Sequence, residues 1–395
     1  MGTAHDAKHH DRRRRWAAVL SAAALAGALV GAADATTPSH AEHAPRDARS
    51  GEQIYRAACT GCHGADGTGA PRTTVGFAVP LPDFTDCNFA SREADADWAA
   101  IIRDGGPVRG FSRIMPAFRD ALSPDEIRRV IAYLRTFCRS GSWPRGNLNL
   151  PRALVTEKAF PEDEAVLTTA VNTHAPGGVS NALLYERRFG ARDQLEVEVP
   201  FSIAQQEKGG PWSTGIGDLS LGPKHTFYHS RSSILSGAAG ISLPTGDTAK
   251  GFGAGTAIVE TYALFGQLLP ANGYFQFQGG VELPTHPAHA PQELFWRGAL
   301  GTTVPFGRIS RTWSPMVEVL GTREMTAGAP VEWDIVPQSQ LTLSARQHIR
   351  VSVGVDVPVT ETDTRHPQIL AYLLWDWFDG GLFEGWRGWC PGCQH

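Results

Sequence analysis

The chain has 395 residues, a formal net charge of −4, and 19% charged against 42% hydrophobic residues. At about 100–200 residues per domain, this length predicts two domains, or one domain with a large all-β unit. The hydrophobic content excludes a disordered chain, and the near-neutral charge argues against nucleic acid as a partner, because such binding rests on a basic face. The six cysteines are too few for a disulfide scaffold in a chain of this length.

The N-terminus has the pattern of a secretory signal peptide over residues 1–35. The cationic residues 12–15 precede an Ala/Leu/Val-rich stretch and the small-x-small sequence Ala33-Asp34-Ala35, which is the order of n-region, h-region and cleavage site. A membrane anchor is the alternative, but the apolar run is weakly hydrophobic and short for a span of about 20 residues. Residues 36–50 are polar and predict a disordered tether. An exported protein is therefore expected.

The haem attachment motif C-x-x-C-H occurs at Cys59-Thr60-Gly61-Cys62-His63. The thiols of Cys59 and Cys62 are spaced to add to the two vinyl groups of one porphyrin, and the imidazole of His63 offers a nitrogen to the iron. A zinc half-site would need a second ligand pair at a similar spacing, and none lies nearby in the sequence. The motif predicts one covalently bound c-type haem.

The flanks of this motif make residues 51–138 similar to a class I c-type cytochrome, which is an all-α domain. A short helix from Gly51 leads into the motif, and residues 94–104 predict a helix stopped by two glycines. Residues 123–126 (Ser-Pro-Asp-Glu) predict a capping box with proline at the first helical position. The last helix then has apolar residues at helical spacing, namely Ile127, Val130, Ile131, Leu134 and Phe137.

The resemblance assigns the sixth iron ligand to Met115, within the segment Ile114-Met115-Pro116. Ligation by His63 and Met115 implies a low-spin haem of raised potential, and thus an electron carrier rather than an enzyme. Core packing is the other role open to a methionine. The family also bonds its ligand histidine to the carbonyl of a loop proline, for which Pro80 and Pro82 are both candidates.

The remaining cysteines form two further candidate pairs. Cys87 and Cys138 lie in the same predicted domain, and a disulfide between them is expected in an exported protein, with two free buried thiols as the alternative. Cys390 and Cys393 form a C-x-x-C in the tail, residues 380–395, that is not followed directly by histidine. A local disulfide is expected there rather than a second haem.

Residues 139–163 contain Gly and Pro without periodicity, which predicts a linker. Over residues 164–379, apolar and polar residues alternate, and eleven or twelve antiparallel strands are expected. The run from Ile349 to Val359 exceeds the ~5–6 residues of a typical soluble strand and suits the ~9–11 that cross a membrane. An all-β outer-membrane barrel of about twelve strands is therefore predicted, with a soluble barrel or sandwich as the alternative.

Two sets of side chains follow from the barrel assignment. Aromatic residues near strand ends are expected to form girdles at the membrane interfaces: Trp212, Phe227, Tyr228, Phe295, Trp296, Trp313, Tyr372, Trp375, Trp377 and Phe378. Charged residues are expected to line the lumen as a paired network rather than a selective channel: Glu196, Glu198, Glu260, Glu282, Arg297, Asp334, Arg346, Arg350 and Asp356.

Taken together, the two halves resemble cytochrome–porin fusions. The resemblance implies a haem protein that the barrel anchors in the lipid of the outer membrane. An even-stranded barrel normally has both of its ends on the periplasmic side, which places the haem domain at the periplasmic mouth. Redox proteins of the periplasm, or an outer donor, are the expected partners. Two alternatives stay open. One is a porin-like transport or substrate-binding β-domain with the haem module as gate or sensor, and the other is a soluble periplasmic haem-linked oxidoreductase.

Overall fold

The computed structural model describes residues 49–76, 81–306 and 311–376. The predicted signal peptide, most of the tether, and Cys390 and Cys393 lie outside these residues. No helix in the described part of the chain is long and apolar enough to cross a bilayer. Within the described residues, six α-helices precede the sheet: α1 Gly51–Ala58, α2 Thr60–His63, α3 Arg72–Val75, α4 Cys87–Ala90, α5 Asp95–Asp104 and α6 Pro124–Leu134.

The helical domain begins and ends with two capped helices that cross closely. Ser50 and Ser123 both form capping boxes, at the starts of α1 and α6, so the capping box predicted for the last helix is confirmed. A Cβ atom at Gly51 would lie only 2.0 Å from the carbonyl oxygen of Arg129. The absence of a side chain at Gly51 therefore allows the two helices to approach and to enclose one apolar cluster: Ile54, Tyr55, Phe84, Ala90, Trp98, Ile102, Leu122, Ile127, Val130, Ile131 and Leu134.

The second half of the chain is a single antiparallel sheet of fourteen strands. The strands are β1 Glu164–Asn172, β2 Gly178–Phe189, β3 Asp193–Gln205, β4 Trp212–Ile216, β5 Leu219–His229, β6 Ser233–Leu243, β7 Ile258–Leu268, β8 Gly273–Pro284, β9 Glu293–Thr302, β10 Val304–Phe306, β11 Arg311–Glu324, β12 Glu332–Thr342, β13 Ile349–Pro358 and β14 Gln368–Asp376. Strand β14 pairs with β1, and β9 pairs with β11. The sheet closes on itself through twelve strands, with β4 and β10 as short additions, which confirms the predicted strand number.

The two ends of the barrel differ in the length of their connections. The end where β1 starts and β14 finishes carries the turns 190–192, 230–232 and 269–272, whereas the opposite end carries the long connections 206–218 and 244–257. Outer-membrane barrels place their short turns on the periplasmic side. The chain from the helical domain joins the barrel at this short-turn end, because residue 163 leads directly into β1.

The outward face of the strands is apolar, as the alternation predicts. Large hydrophobic side chains that are at least one-third exposed occur around the whole barrel, and the strands in the closed ring are 9–14 residues long. A closed sheet has no free edge and can face hydrocarbon without unsatisfied backbone groups. The exposed apolar residues include Leu167, Leu183, Leu195, Leu221, Leu235, Val259, Phe277, Leu294, Val317, Val353 and Leu373.

The structure corrects two parts of the predicted barrel surface. Phe295 and Tyr372 are each only 2% exposed and belong to the lumen rather than to a girdle, because the pleat turns both side chains inward. Arg346 is not a lumen residue, since Thr342 pairs with Arg350 and residues 343–348 form a turn. The expected girdle residues Trp377 and Phe378 lie outside the described residues.

Residues 146–163, expected only to link the domains, run through the barrel lumen. Their contacts reach strands far apart around the ring, including Lys224 on β5, Glu318 on β11 and Tyr372 on β14. We call these residues the lumen segment. Their apolar side chains pack in clusters with inward residues of the barrel, so the segment has a defined path although it lacks regular structure beyond one turn of 3-10 helix.

The crossing of α1 and α6 yields a stability prediction. Replacing Gly51 by Ala forces the new methyl group against the backbone of α6, and we expect the free energy of unfolding of the helical domain to fall by about 1–3 kcal/mol. Urea titration of the full chain, followed through its helical circular dichroism, measures the change. The control is Gly141→Ala, where no atom lies within 4 Å of the added Cβ. Equal effects at both positions would contradict the close crossing.

Candidate functional site

The three motif side chains come from Cys59, between α1 and α2, and from the last two residues of α2. Cys59 caps the end of α1 and precedes α2, and the backbone N–H of His63 donates to the Cys59 carbonyl at 2.9 Å. Both cysteines are half-buried free thiols. Gly64 then ends the helix with a φ of +74°, a conformation that glycine adopts without strain. The turn thus presents two thiols and one imidazole from a short, rigid stretch.

Tyr55 holds this turn against the core of the domain. Its ring is fully buried, and its hydroxyl donates to the carbonyl oxygen of Gly64 at 2.7 Å and to that of His63 at 3.3 Å. Burial raises the pKa of Tyr55 above its ordinary value, so the hydroxyl stays a donor. The carbonyl groups of the motif histidine and of the glycine after it are therefore fixed by a side chain from the preceding helix.

The imidazole of His63 has the features of an iron ligand, but its second ring nitrogen makes no hydrogen bond in the described residues. Its Nδ1 atom is buried and has no hydrogen-bond partner in the described residues, and its ring centroid lies 5.2 Å from that of Phe84. Burial lowers the pKa of His63, which favours the neutral ring that binds metals. No hydrogen bond from His63 to Pro82 is present, and Pro80 lies outside the described residues. A half-buried imidazole with a buried, unpaired Nδ1, close in sequence to two thiols, fits covalent haem.

Met115 contacts the same apolar cluster as the motif. Met115 and Cys59 both pack, half-buried, on the cluster that Ile54 and Trp98 help to form. The backbone N–H of Gly106 donates to the Met115 carbonyl at 3.0 Å, and Gly105 has a φ of +84° as it leaves α5. The two glycines that end this helix therefore also fix the methionine loop. The structure brings Cys59 and Met115 to one core, as expected for groups that enclose one cofactor.

The predicted disulfide between Cys87 and Cys138 is present. It joins the first residue of α4 to the residues that follow α6, across a sequence separation of 51. In the loop-entropy account, a closed loop of this length stabilises the domain by about 4 kcal/mol. The bond ties the segment after the motif to the last helix, and so supports the wall of the candidate site.

Several contacts that join the domain to the barrel were not foreseen. Arg92 pairs with Asp163 at 2.6 Å, and the Asn147 amide donates to Asp95 at 2.8 Å. The guanidinium carbon of Arg346, in the turn between β12 and β13, lies 4.9 Å from the ring centroid of Phe111, four residues before Met115. Such pairs have no sequence signal, because each joins residues of two separately folded parts.

Comparison with known proteins gives matches for both halves of the chain. Residues 46–134 match the family model described as cytochrome C oxidase, cbb3-type, subunit III. Solved structures similar to the barrel include the KdgM porin, at 10% identity over 54% of this chain and 98% of that chain (TM-score 0.38), and an outer-membrane channel from Pseudomonas putida F1, at 12% identity over 57% and 99% (TM-score 0.40). No curated protein matches the sequence.

The chain therefore consists of a small helical cytochrome c domain followed by a closed twelve-stranded β-barrel. The closed ladder and the apolar exterior of the strands are the construction of an exported outer-membrane protein. The predicted cytochrome–porin architecture is confirmed.

The Tyr55 contacts yield a second prediction. Tyr55→Phe keeps the buried ring but removes the hydroxyl that donates to Gly64, and we expect the free energy of unfolding of the cytochrome domain to fall by about 1 kcal/mol, the usual net value of one hydrogen bond. Urea unfolding measures it. Tyr133→Phe is the control, since no hydroxyl hydrogen bond of Tyr133 is present in the described residues. A larger loss in the control would exclude this role for Tyr55.

Proposed function

We propose that this protein is a membrane-anchored c-type cytochrome that exchanges electrons with redox proteins of the periplasm. The observation that carries the proposal is the turn from Cys59 to His63, which presents two thiols and a half-buried imidazole with a buried, unpaired Nδ1. Cys59 and Cys62 would attach one haem through thioether bonds, and His63 and Met115 would bind its iron. Haem with this ligation supplies a one-electron iron couple of raised potential.

The protein's own residues supply the surroundings that such a couple needs. The apolar cluster excludes water from one side of the site, and a low dielectric around an iron centre is one determinant of its potential. Tyr55 and the disulfide hold the motif and its wall in place. In a rigid site of this kind, the iron would change oxidation state with little movement of the surrounding protein. This suits electron transfer rather than the binding of a substrate.

The surface beside Met115 supports contact with a protein partner. Phe111 and Ile114 are 42% and 49% exposed, and they flank the methionine loop. Exposed apolar side chains of this kind commonly mark contact sites. Because the domain is joined to the barrel at the short-turn end, this surface would lie on the periplasmic side. The partners would therefore be periplasmic electron donors and acceptors.

Replacement of the methionine ligand tests the iron coordination. We expect Met115→Ala to keep the haem covalently bound, because both thiols remain, but to change the visible spectrum and lower the reduction potential, because a thioether ligand raises it. Absorption spectroscopy and a potentiometric titration measure both. The control is Met325→Ala, since Met325 is exposed in a long loop of the barrel. An unchanged spectrum in Met115→Ala would exclude Met115 as a ligand.

Cell fractionation tests the location. We expect the protein, detected by haem staining after denaturing electrophoresis, in the outer-membrane fraction, and we expect Cys59→Ala/Cys62→Ala to reach the same fraction without stain. Immunodetection follows the unstained variant. Recovery of the stained protein wholly in the soluble periplasmic fraction would contradict the membrane anchor and favour the soluble oxidoreductase.

A further inference from the structure

The lumen segment is held by one buried carboxylate to an unusual degree. The backbone N–H groups of Leu154, Val155 and Thr156 all donate to Glu318, at 2.9, 3.1 and 2.6 Å, and the Thr156 hydroxyl donates to it at 2.6 Å. Glu318 is 0% exposed and lies on β11. Hydrogen bonds to a carboxylate are stronger than those between neutral groups. This side chain therefore fixes the middle of the segment inside the barrel.

Inward amide and hydroxyl side chains of other strands form hydrogen bonds with further backbone groups of the segment. Gln276 donates to the carbonyl oxygen of Pro151 at 2.9 Å, Tyr372 donates to that of Arg152 at 2.7 Å, and Gln278 accepts from the N–H of Glu157 at 3.1 Å. The barrel thus replaces water as the hydrogen-bonding partner of an irregular stretch of chain. Such a set of inward polar residues fits a permanent occupant of the lumen.

The charges of the segment match those of the barrel wall. Arg152 pairs with Glu164 at 2.8 Å and with Glu186 at 2.9 Å. Lys158 also pairs with Glu164, at 3.0 Å. In the opposite sense, Lys224 of β5 pairs with Glu157 of the segment at 2.7 Å. Buried charges are tolerated only when they are paired in this way.

The contact region is dry. Lys158, Glu186 and Glu318 are each exposed by 1% or less, although all three would face water in an open channel. The side chains of Glu198, Glu260 and Glu282, toward the long-connection end of the same lumen, are partly exposed. The passage is therefore closed at the level of the segment and open to solvent above it.

The barrel does not need the segment for its own ladder. All twelve ring strands pair with one another, and no strand pairing involves residues 146–163 in the described part of the chain. Apart from its covalent link to β1, the segment is held in the lumen by side-chain hydrogen bonds, ion pairs and packing. It can therefore be absent from the lumen while the backbone hydrogen bonds that close the barrel stay intact.

We propose that the lumen segment is a plug and that the barrel it closes is a cation-selective pore. With the plug removed, Glu164, Glu186 and Glu318 lose the cationic and N–H groups that satisfy them. Among the described charged strand residues that bond to residues 149–160, three are these carboxylates and Lys224 is a cation. Carboxylates lining a water-filled barrel select for cations. Arg152 and Lys158 of the plug occupy the positions that passing cations would take.

The ends of the plug are bonded to the cytochrome domain. Asn147 bonds Asp95, and Asp163 pairs with Arg92, at the two sides of the segment. The domain therefore holds both ends while Glu318 holds the middle. A variant that tests the plug should leave Asn147 and Asp163 in place, so that the position of the domain is unchanged.

Ion conductance in planar bilayers tests the proposal with the full, haem-loaded chain. The variant replaces residues 149–160 by a Gly/Ser chain of equal length, with K⁺ and Cl⁻ as probe ions. We expect the variant to conduct at least about tenfold more than the intact protein, and its reversal potential in a KCl gradient to have the sign of K⁺ selectivity. Heat-modifiable migration in gels verifies the fold of the barrel, and the haem spectrum verifies the domain independently.

An intact protein that conducts as well as the variant, or a folded variant as closed as the intact protein, would overturn the plug. Selectivity for Cl⁻ would overturn the assignment of cation selectivity. If the Gly/Ser chain prevents folding, Glu318→Ala decides the matter, because it removes the acceptor of the three backbone bonds. The matched control is Glu324→Ala, at the exposed end of the same strand. We expect openings in the first variant only, and equal conductance in both would refute the proposal.

Discussion

The constraint on which the rest of this structure depends is that backbone groups in a bilayer must find all their hydrogen bonds within the protein. A sheet meets it by closing, which here requires β14 to pair with β1 and β9 with β11. An even-stranded closed ring brings the start of β1 and the end of β14 to one side. The cytochrome domain therefore joins the barrel at the end with the short turns.

Closure also turns one face of every strand inward, and that face is rich in charge. Burying a carboxylate such as Glu318 or Glu186 inside the barrel is costly unless hydrogen-bonding or cationic partners meet it. In this protein the partners come from the chain between the two domains, through Arg152, Lys158 and the backbone around Thr156. The backbone of the segment has no strand partners, and the amides and carboxylates of the barrel wall form its hydrogen bonds. In return, the segment satisfies these inward polar groups.

The cytochrome domain is stabilised by an apolar core of its own. Its cluster around Ile54 and Trp98 is distinct from the clusters inside the barrel, so the two parts have separate cores. What joins them is a small set of polar and cation–π contacts, of which Arg92–Asp163 is fully buried. The proposed electron exchange and the proposed closure of the barrel thus use different residues of one chain, while the lumen segment connects the two domains covalently.

The features that the sequence alone determined are local ones. The spacing of Cys59, Cys62 and His63, the capping box at Ser123 and the alternation from Ile349 to Val359 each lie within a few residues, where helical or strand geometry relates sequence to position. Alternation also predicts two faces of a strand, and the number of such strands.

Only the tertiary structure decided which residues and surroundings contact the two faces of each strand. The inward position of Phe295 and Tyr372 depends on which face of each strand the closed barrel turns to its lumen. The path of the lumen segment has no period to reveal it, and the acceptor for Leu154 lies 164 residues further along the chain. Contacts at such separation depend on how the strands are ordered around the ring, and they exist only once the barrel has closed around its own linker.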